Sequence, residues 1–155
     1  HSIILLRYHI GRDPALHRPH RRACLSRGRL AAAAYEDLCR QLVTTGGLGP
    51  RRWSRVGRWW NRCDEMDVVG FADDGGLLAG EAKWTRRPVG VNVLDELRAK
   101  VERSGLLANA RPVTFALFSR SGFTPALRIL SRARPDLMLV EGLTKLQDPP
   151  ESSEE

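Results

Sequence analysis

The sequence predicts one α/β domain in which a mixed β-sheet is flanked by helices. Apolar residues recur at helical spacing in three segments, and short runs of strand-forming residues lie between those segments. The predicted order is helix, three strands, helix, strand, helix, strand. Because an antiparallel hairpin is followed by a strand–helix–strand unit, the sheet should contain both antiparallel and parallel pairs.

Composition is that of a globular protein with a positive surface. The 155 residues are 42% hydrophobic and 28% charged, with a formal net charge of +7, and this balance argues against wholesale disorder. A positive body suits a polyanionic partner such as nucleic acid. No apolar run approaches the roughly 20 residues of a membrane span, and the cysteines lack C-x-x-C spacing. We therefore expect no membrane partner and a cytoplasmic location.

Three parts are expected along the chain. Residues 1–29 contain seven Arg and no sustained period, so we interpret them as a basic arm that is either disordered or not a native start. Residues 30–147 form the folded domain. Residues 148–155, DPPESSEE, form an acidic disordered tail.

The first helix is predicted over residues 30–44, and Gly46-Gly47 ends it. Its apolar stripe consists of Leu30, Ala34, Leu38, Leu42 and Val43. Glu36 lies away from the centre of that stripe. The next segment, residues 51–62, places five Arg among three Trp. Within it Val56–Trp60 is predicted to be a strand, with Trp59 and Trp60 packed against the domain.

A β-hairpin is predicted over Asp64–Trp84 and holds the candidate site. Its first strand contains Val68, Val69 and Phe71, and Leu77 begins the return strand. Between them Asp73-Asp74-Gly75-Gly76 is a turn, since Gly and Asp tolerate positive φ.

The rest of the chain alternates helices and strands. Amphipathic spacing predicts a helix over Val91–Arg103, whose face carrying Glu96, Arg98, Lys100 and Glu102 should be exposed to solvent. The apolar run Pro112–Ser119 predicts a central strand. Thr124 as N-cap and Pro125 begin a helix that reaches Ala133, and Leu137–Val140 is the last strand.

The hairpin suggests metal-assisted phosphodiester hydrolysis. Residues two apart on a strand share a face, so Glu81 and Lys83 should lie together and Asp67 should lie near them. Two carboxylates suit Mg²⁺, or Mn²⁺, which would polarise a phosphate and activate water. Lys83 would orient that water or neutralise developing charge. The alternative is a surface hairpin with charges on its solvated face.

These residues resemble the PD-(D/E)xK nuclease-like superfamily. Asp67 is followed by 13 residues and then by Glu81-Ala82-Lys83. Three words, VGRWW from Val56, EMDVVG from Glu65 and GEAKW from Gly80, are similar to the DUF234 family, a domain found at the C-terminus of archaeal-type ATPases. The resemblance implies a restriction-endonuclease-like αβββαβ core plus a terminal helix and strand. It also implies that Glu36 joins Asp67 and Glu81 as a metal ligand, and that an ATPase is a partner.

Three functional hypotheses follow. The first is a Mg²⁺-dependent nuclease-like domain acting on DNA, with Glu36, Asp67, Glu81 and Lys83 as its catalytic residues. The second is a non-catalytic module that binds nucleic acid or regulates an ATPase. The third is a structural domain with an accidental Glu-x-Lys. In the first two, phosphate contacts would come from a set of arginines: Arg51, Arg52, Arg55, Arg58, Arg86 and Arg87.

Overall fold

A computed structural model describes residues 27–143. The predicted basic arm before residue 27 and the acidic tail lie outside the described residues. In chain order the elements are α1 (Arg27–Thr44), β1 (Arg55–Trp60), β2 (Glu65–Phe71), β3 (Leu77–Lys83), α2 (Val91–Ser104), a 3₁₀ turn (Leu106–Ala108), β4 (Val113–Ser119), α3 (Pro125–Ala133) and β5 (Leu137–Glu141). This is the predicted order, and each predicted helix and strand is present.

The sheet has five strands in the order β1-β2-β3-β4-β5. β1, β2 and β3 pair antiparallel, whereas β3, β4 and β5 pair parallel. The mixed sheet is therefore confirmed, and β3 is the strand at which the direction of pairing changes. Because β3, β4 and β5 are parallel, their carboxyl ends meet at one edge of the sheet, where ligands of open α/β sheets commonly bind.

The hairpin of β2 and β3 closes through a tight turn. Gly75 has φ 87°, and its N–H donates to the carbonyl of Ala72 at 3.0 Å. Asp74 supports the turn because its side chain accepts the N–H of Gly76 at 3.0 Å. The predicted turn is thus confirmed, and Gly75 supplies the left-handed conformation that it requires.

A β-bulge interrupts the pairing of β2 with β1. Gly57 pairs with Val69, but Trp59 pairs with Met66, so two residues of β2 oppose Arg58 alone. Met66 and Val69 consequently pack in the same core cluster although they are three residues apart. The strict alternation assumed from the sequence fails at the bulge, whose two residues on β2 are Asp67 and Val68.

Two cores cover the two faces of the sheet. One packs α2 and α3 through Leu94, Leu97 and Leu127 against the sheet. The other packs α1 through Tyr35, Cys39 and Val43. The central strands β3 and β4 are therefore covered on both sides, as the apolar run in β4 predicted.

The buried face of α1 differs from the predicted stripe. Tyr35, Cys39 and Val43 are buried, whereas Leu30 is 55% exposed and Ala34 is exposed. The stripe centre is thus one residue further along the chain than predicted, because a large aromatic at position 35 packs better than Ala34. The helix also begins at Arg27, three residues before the predicted start.

Two tryptophans of the Arg-rich segment have different environments. Trp59 is buried at 6% exposure, but Trp60 is 49% exposed. Packing was predicted for both, and for Trp60 that prediction was wrong. Successive residues of a strand point to opposite faces, and β1 is an edge strand of the sheet, so burial of one tryptophan leaves its neighbour outside.

The two described cysteines are free and have different exposure. Cys39 is buried within α1 and Cys63 is exposed in the turn before β2. In that turn the side chain of Asn61 accepts the N–H groups of Cys63 and Asp64, each at 2.7 Å. Burial, followed by the charge of Asp67, raises the pKa of Cys39 to about 12.

No helix within residues 27–143 has the length and apolar character needed to cross a membrane.

A substitution at Gly80 can test how tightly the centre of the sheet is packed. A Cβ at this position would lie 3.1 Å from Cβ of Val68, 3.2 Å from the carbonyl oxygen of Ala116 and 3.2 Å from Phe118. We expect Gly80→Ala to lower the free energy of unfolding by about 1–3 kcal/mol, the usual cost of overpacking. Gly70→Ala is the matched control, because its Cβ would meet nothing closer than 3.4 Å. Urea denaturation of the two variants measures the difference, and equal stabilities would contradict the packing argument.

Candidate active site

Two buried carboxylates lie where β2 and β3 separate. Regular pairing of these strands ends at Val68 and Gly80, and Asp67 and Glu81 are the next residues on each strand. There Oδ2 of Asp67 accepts the backbone N–H of Ala82 at 2.9 Å. Asp67 is 9% exposed and Glu81 is 7% exposed. Carboxylates are seldom buried without a partner, so their environment needs an explanation.

Glu81 is neutralised by two lysines. Nζ of Lys83 donates to Oε1 of Glu81 at 2.8 Å. Nζ of Lys100, on α2, lies 3.2 Å from Oε1 and 3.1 Å from Oε2. The Glu81–Lys83 contact is the one that their spacing on a strand predicted. Two ammonium groups on one buried carboxylate offset much of the cost of its burial.

The prediction that Lys100 serves only as a solvated residue of α2 was wrong. Its side chain is 21% exposed and reaches into the site. The residue belongs to the flank of α2 beside the buried positions Leu97 and Val101, and helical spacing brings such a flank within reach of the sheet. A weak signal was present in the sequence, because position 100 immediately precedes the core residue Val101.

Burial, followed by the negative charge of Glu81, raises the pKa of Asp67 to about 6. The hydrogen bond from Ala82 opposes this effect without overcoming it. Asp67 therefore holds its proton more tightly than an exposed carboxylate does. A cation beside it would favour the ionised form, since an opposite charge lowers a carboxyl pKa.

Lys83 remains an ammonium ion in this environment. Burial tends to lower its pKa, but the hydrogen bond and charge of Glu81 together with the charge of Asp67 raise it above the ordinary value. A lysine of this kind acts as a positive charge and a hydrogen-bond donor. It is not suited to accept a proton from water near neutral pH.

Glu36 lies on the α1 side of the site and is paired with an arginine. Arg58 lies 3.7 Å from Oε2 of Glu36 and also pairs with Glu65. Burial raises the pKa of Glu36, and the charges of Arg58 and Arg40 oppose that rise. Arg40, which the sequence reasoning missed, donates to the backbone carbonyl of Asp67 at 2.6 Å and so fixes α1 to the site.

The donor atoms suit a magnesium ion that completes its shell with water. Among residues 27–143, no three His, Cys, Asp or Glu side chains lie close enough together to hold a metal ion. The structure thus does not bring Glu36 into a three-carboxylate group with Asp67 and Glu81. Mg²⁺ commonly binds one or two carboxylates, several waters and substrate phosphate, so Asp67 and Glu81 by themselves are a fitting pair.

The predicted arginine set divides between the two ends of the hairpin. Arg51 pairs with Asp74 of the turn at 3.0 Å, and the guanidinium of Arg55 lies 5.0 Å from the ring centre of Phe71. Phe71 is about 13 Å along β2 from Asp67, at about 3.3 Å per residue. Arg51, Arg52 and Arg55 are therefore remote from the carboxylates.

The other predicted arginines belong to the end of the hairpin that carries the carboxylates. Arg58 faces the bulge beside Asp67. Arg86 and Arg87 are exposed in the loop that follows Lys83, at the edge where the parallel strands end.

A stack of two aromatic rings and one guanidinium group, from Tyr35, Trp84 and Arg120, borders the edge of the sheet where the parallel strands end. This stack was not predicted from the sequence. Trp84 follows Lys83, and its ring centre lies 5.1 Å from that of Tyr35 on α1. The guanidinium of Arg120, which follows β4, lies 4.3 Å from the Trp84 ring centre. Since Trp84 is partly exposed, the stack presents a positive group beside Lys83. Its residues are distant in sequence, so no local pattern indicated it.

The fold and one family model agree with the predicted class and resemblance. The element order and the mixed sheet confirm the predicted restriction-endonuclease-like class. Residues 26–100 match the DUF234 family, described as "Archaea bacterial proteins of unknown function". The predicted resemblance to this family is confirmed for that segment, which contains Glu36, Asp67, Glu81, Lys83 and Lys100.

Two solved structures are similar to the chain. One is described as "crystal structure of a repair endonuclease from Pyrococcus abyssi", with 18% identity, a TM-score of 0.41 and coverage of 56% of this chain and 38% of that chain. The other is described as "Structure of EndoMS-dsDNA2 complex", with 19% identity, a TM-score of 0.46 and coverage of 74% and 44%. This chain thus spans less than half the length of either, and neither similarity assigns it an activity.

No curated protein has significant sequence similarity to the chain.

The buried carboxyl of Asp67 predicts a pH-dependent stability. Its pKa of about 6 lies above the ordinary value of about 4, so between these two pH values the folded protein binds a proton that the unfolded chain has released. The free energy of unfolding should therefore fall as pH rises through this window. Asp67→Asn does not titrate, and its stability relative to the parent should rise by about 3 kcal/mol from pH 4 to pH 7 and then stay level.

Urea denaturation at half-unit pH intervals measures this difference. Asp73→Asn, in the exposed hairpin turn, is the matched control and should follow the parent at every pH. Parallel curves for Asp67→Asn and the parent would show that Asp67 is not held in a protonation-favouring environment.

Proposed function

We propose that the domain is a Mg²⁺-dependent nuclease-like domain that hydrolyses DNA phosphodiester bonds. The observation that carries this proposal is the burial of Asp67 and Glu81 on adjacent strands, with two lysines on Glu81. Carboxylates that are buried together beside specific charge partners, at the strand ends where ligands bind, mark a candidate functional site. Metal-assisted hydrolysis of a phosphodiester uses a cation site and positive charge close to the phosphate.

Asp67 and Glu81 would hold the metal ion. Mg²⁺, or Mn²⁺ in its place, would polarise the phosphate and lower the pKa of a bound water. Glu36 is a third candidate ligand, and its pairing with Arg58 means that Arg58 must release it before it can contact a cation. We therefore assign Glu36 a weaker role than the two strand carboxylates.

Lys83 would stabilise charge and position the substrate. Its ammonium group is held 2.8 Å from Glu81 and remains protonated for the reasons given above. It can donate to a phosphate oxygen or to the attacking water, and either contact favours the more negative transition state. Proton transfer from the water must then use another base or the bulk solvent.

DNA would dock along the edge where the parallel strands end. Arg86 and Arg87 follow Lys83 in an exposed loop, and Arg120 is held over Trp84 in the same region. Guanidinium groups bind phosphates without reading base sequence. Arg58 can contribute near Asp67, while Arg51, Arg52 and Arg55 would reach only a more distant part of a bound duplex.

A second candidate function is a non-catalytic module that binds nucleic acid or regulates an ATPase. The exposed ring of Trp60 favours it, because an aromatic side chain 49% exposed on an edge strand is a ready contact for a base or for a protein partner. The ATPase partner follows only from the DUF234 resemblance. This function predicts nucleic-acid or ATPase binding that does not change when Glu81 is replaced.

Replacing either strand carboxylate should abolish metal-dependent cleavage. We expect Asp67→Ala and Glu81→Gln each to lower Mn²⁺-dependent cleavage of a labelled DNA by at least about 100-fold, since each removes a metal ligand. Glu102→Gln is the matched control, because Glu102 is exposed on α2. Gel-resolved product formation measures the rate, with a melting curve to verify folding. Cleavage at the parental rate by either folded variant would refute the assigned roles.

The arginines of the β3 loop should contribute more to DNA binding than those near the turn. We expect the pair Arg86→Ala and Arg87→Ala to reduce the slope of log K against log salt concentration by about 2, because two phosphate contacts are lost. Arg51→Ala with Arg52→Ala removes the same charge at the far end of the hairpin and is the matched control. Fluorescence anisotropy with a DNA duplex measures both. A larger effect of the control pair would place the docking surface at the turn.

A further inference from the structure

Lys100 contacts the candidate site from a different element than the other site residues. It is supplied by α2, whereas Asp67, Glu81 and Lys83 belong to the hairpin. Its ammonium group lies within 3.2 Å of both carboxylate oxygens of Glu81, while Lys83 contacts only Oε1. Oε2 is therefore bound by Lys100, and no ion can coordinate that oxygen without competing with this lysine.

Contacts on both sides of Lys100 hold helix α2 in place, so the fold itself sets the position of this lysine in the site. Leu97 and Val101 flank Lys100 and are buried. One turn later, Arg103 donates two hydrogen bonds to Asp64, at 3.0 and 2.7 Å, and so ties the end of α2 to the start of β2. Arg98, two residues before Lys100, is exposed. The helix thus directs one of two neighbouring cations into the site and the other to solvent.

We propose that Lys100 blocks Glu81 in the metal-free protein and becomes a phosphate-binding residue when metal and DNA enter. The proposal rests on the proposed function, since it names how the same site loads. Glu81 would provide an oxygen to Mg²⁺ or Mn²⁺, and Lys100 would leave that oxygen because the two positive charges repel each other. A phosphodiester oxygen close to the metal then provides the negative partner that Lys100 has lost.

This exchange makes metal and DNA binding mutually dependent. Without DNA, a metal must displace Lys100 from Glu81 while no phosphate is present to bind the displaced ammonium, so the affinity for the metal is reduced. With DNA, the displaced ammonium binds the phosphate, and each component favours entry of the other. The recognised group is the phosphodiester itself, so the effect should be seen with both single-stranded and double-stranded DNA.

Two neutral variants test the proposal through metal affinity. Lys100→Met keeps the length of the side chain without charge, and Lys100→Gln keeps a hydrogen-bond donor in case Lys100→Met fails to fold. Isothermal titration of Mn²⁺ in the absence of DNA should show binding roughly tenfold tighter in both variants than in the parent, because the competing charge is removed. Arg98→Met removes one positive charge from the same helix and should leave the affinity unchanged.

Cleavage should change in the opposite direction. At saturating Mn²⁺, we expect both neutral variants to lose roughly 10- to 100-fold in kcat on a labelled DNA, because a charge on the phosphate is lost. Lys100→Arg should recover part of this rate. A residue with only a structural role would not raise metal affinity while lowering kcat.

The outcomes separate this proposal from the proposed function. Equal Mn²⁺ affinity in the parent and both neutral variants, or no binding in any of them, would overturn the blocking role. Parental kcat in a neutral variant would overturn the phosphate-binding role. A parent that binds Mn²⁺ more weakly than the neutral variants and cleaves no DNA would refute the nuclease function while supporting competition between Lys100 and the metal.

Discussion

The structure depends on burying negative charge at the point where β2 and β3 separate. Asp67 and Glu81 are both less than a tenth exposed, and two carboxylates in such surroundings repel each other and lose hydration. The surrounding elements offset this cost. Backbone donation from Ala82, Lys83 on the same strand and Lys100 from α2 each contribute. Several features of the fold, from the β-bulge to the anchoring of α2, serve to bring these groups together.

The same balance of charges explains how a buried cluster of ionisable side chains can be part of a stable sheet. Two lysines neutralise Glu81, whereas burial favours the protonated form of Asp67, so the cost of placing two carboxyl groups together is reduced without a bound ion. The cations that provide this neutralisation have the charge and reach to bind a phosphate. The site is a stable ion cluster, and the proposed nuclease activity would depend on how readily the lysines exchange partners.

The sequence predicted those features that depend on local spacing. The hairpin turn at Gly75, the strand β4 and the helix from Pro125 followed from short patterns whose physical causes are local. Contacts between elements that are distant in the sequence could not be predicted from such local patterns. Lys100 lies on the flank of α2 in a helical projection, and it reaches Glu81 because α2 packs against β3. Trp60 was misassigned because the pattern did not reveal that β1 is an edge strand.

The turn between β1 and β2 has a practical consequence. Cys63 is exposed there, next to Asp64, which holds Arg103 of α2. Cys39 is buried with a pKa of about 12, so its thiol should react slowly with alkylating dyes. If Cys24, the third cysteine of the sequence, is replaced, Cys63 can therefore be labelled with a single fluorophore. The label then lies next to Asp64, which anchors α2 through Arg103. Its emission would report in real time any displacement of that helix as an ion or an oligonucleotide enters.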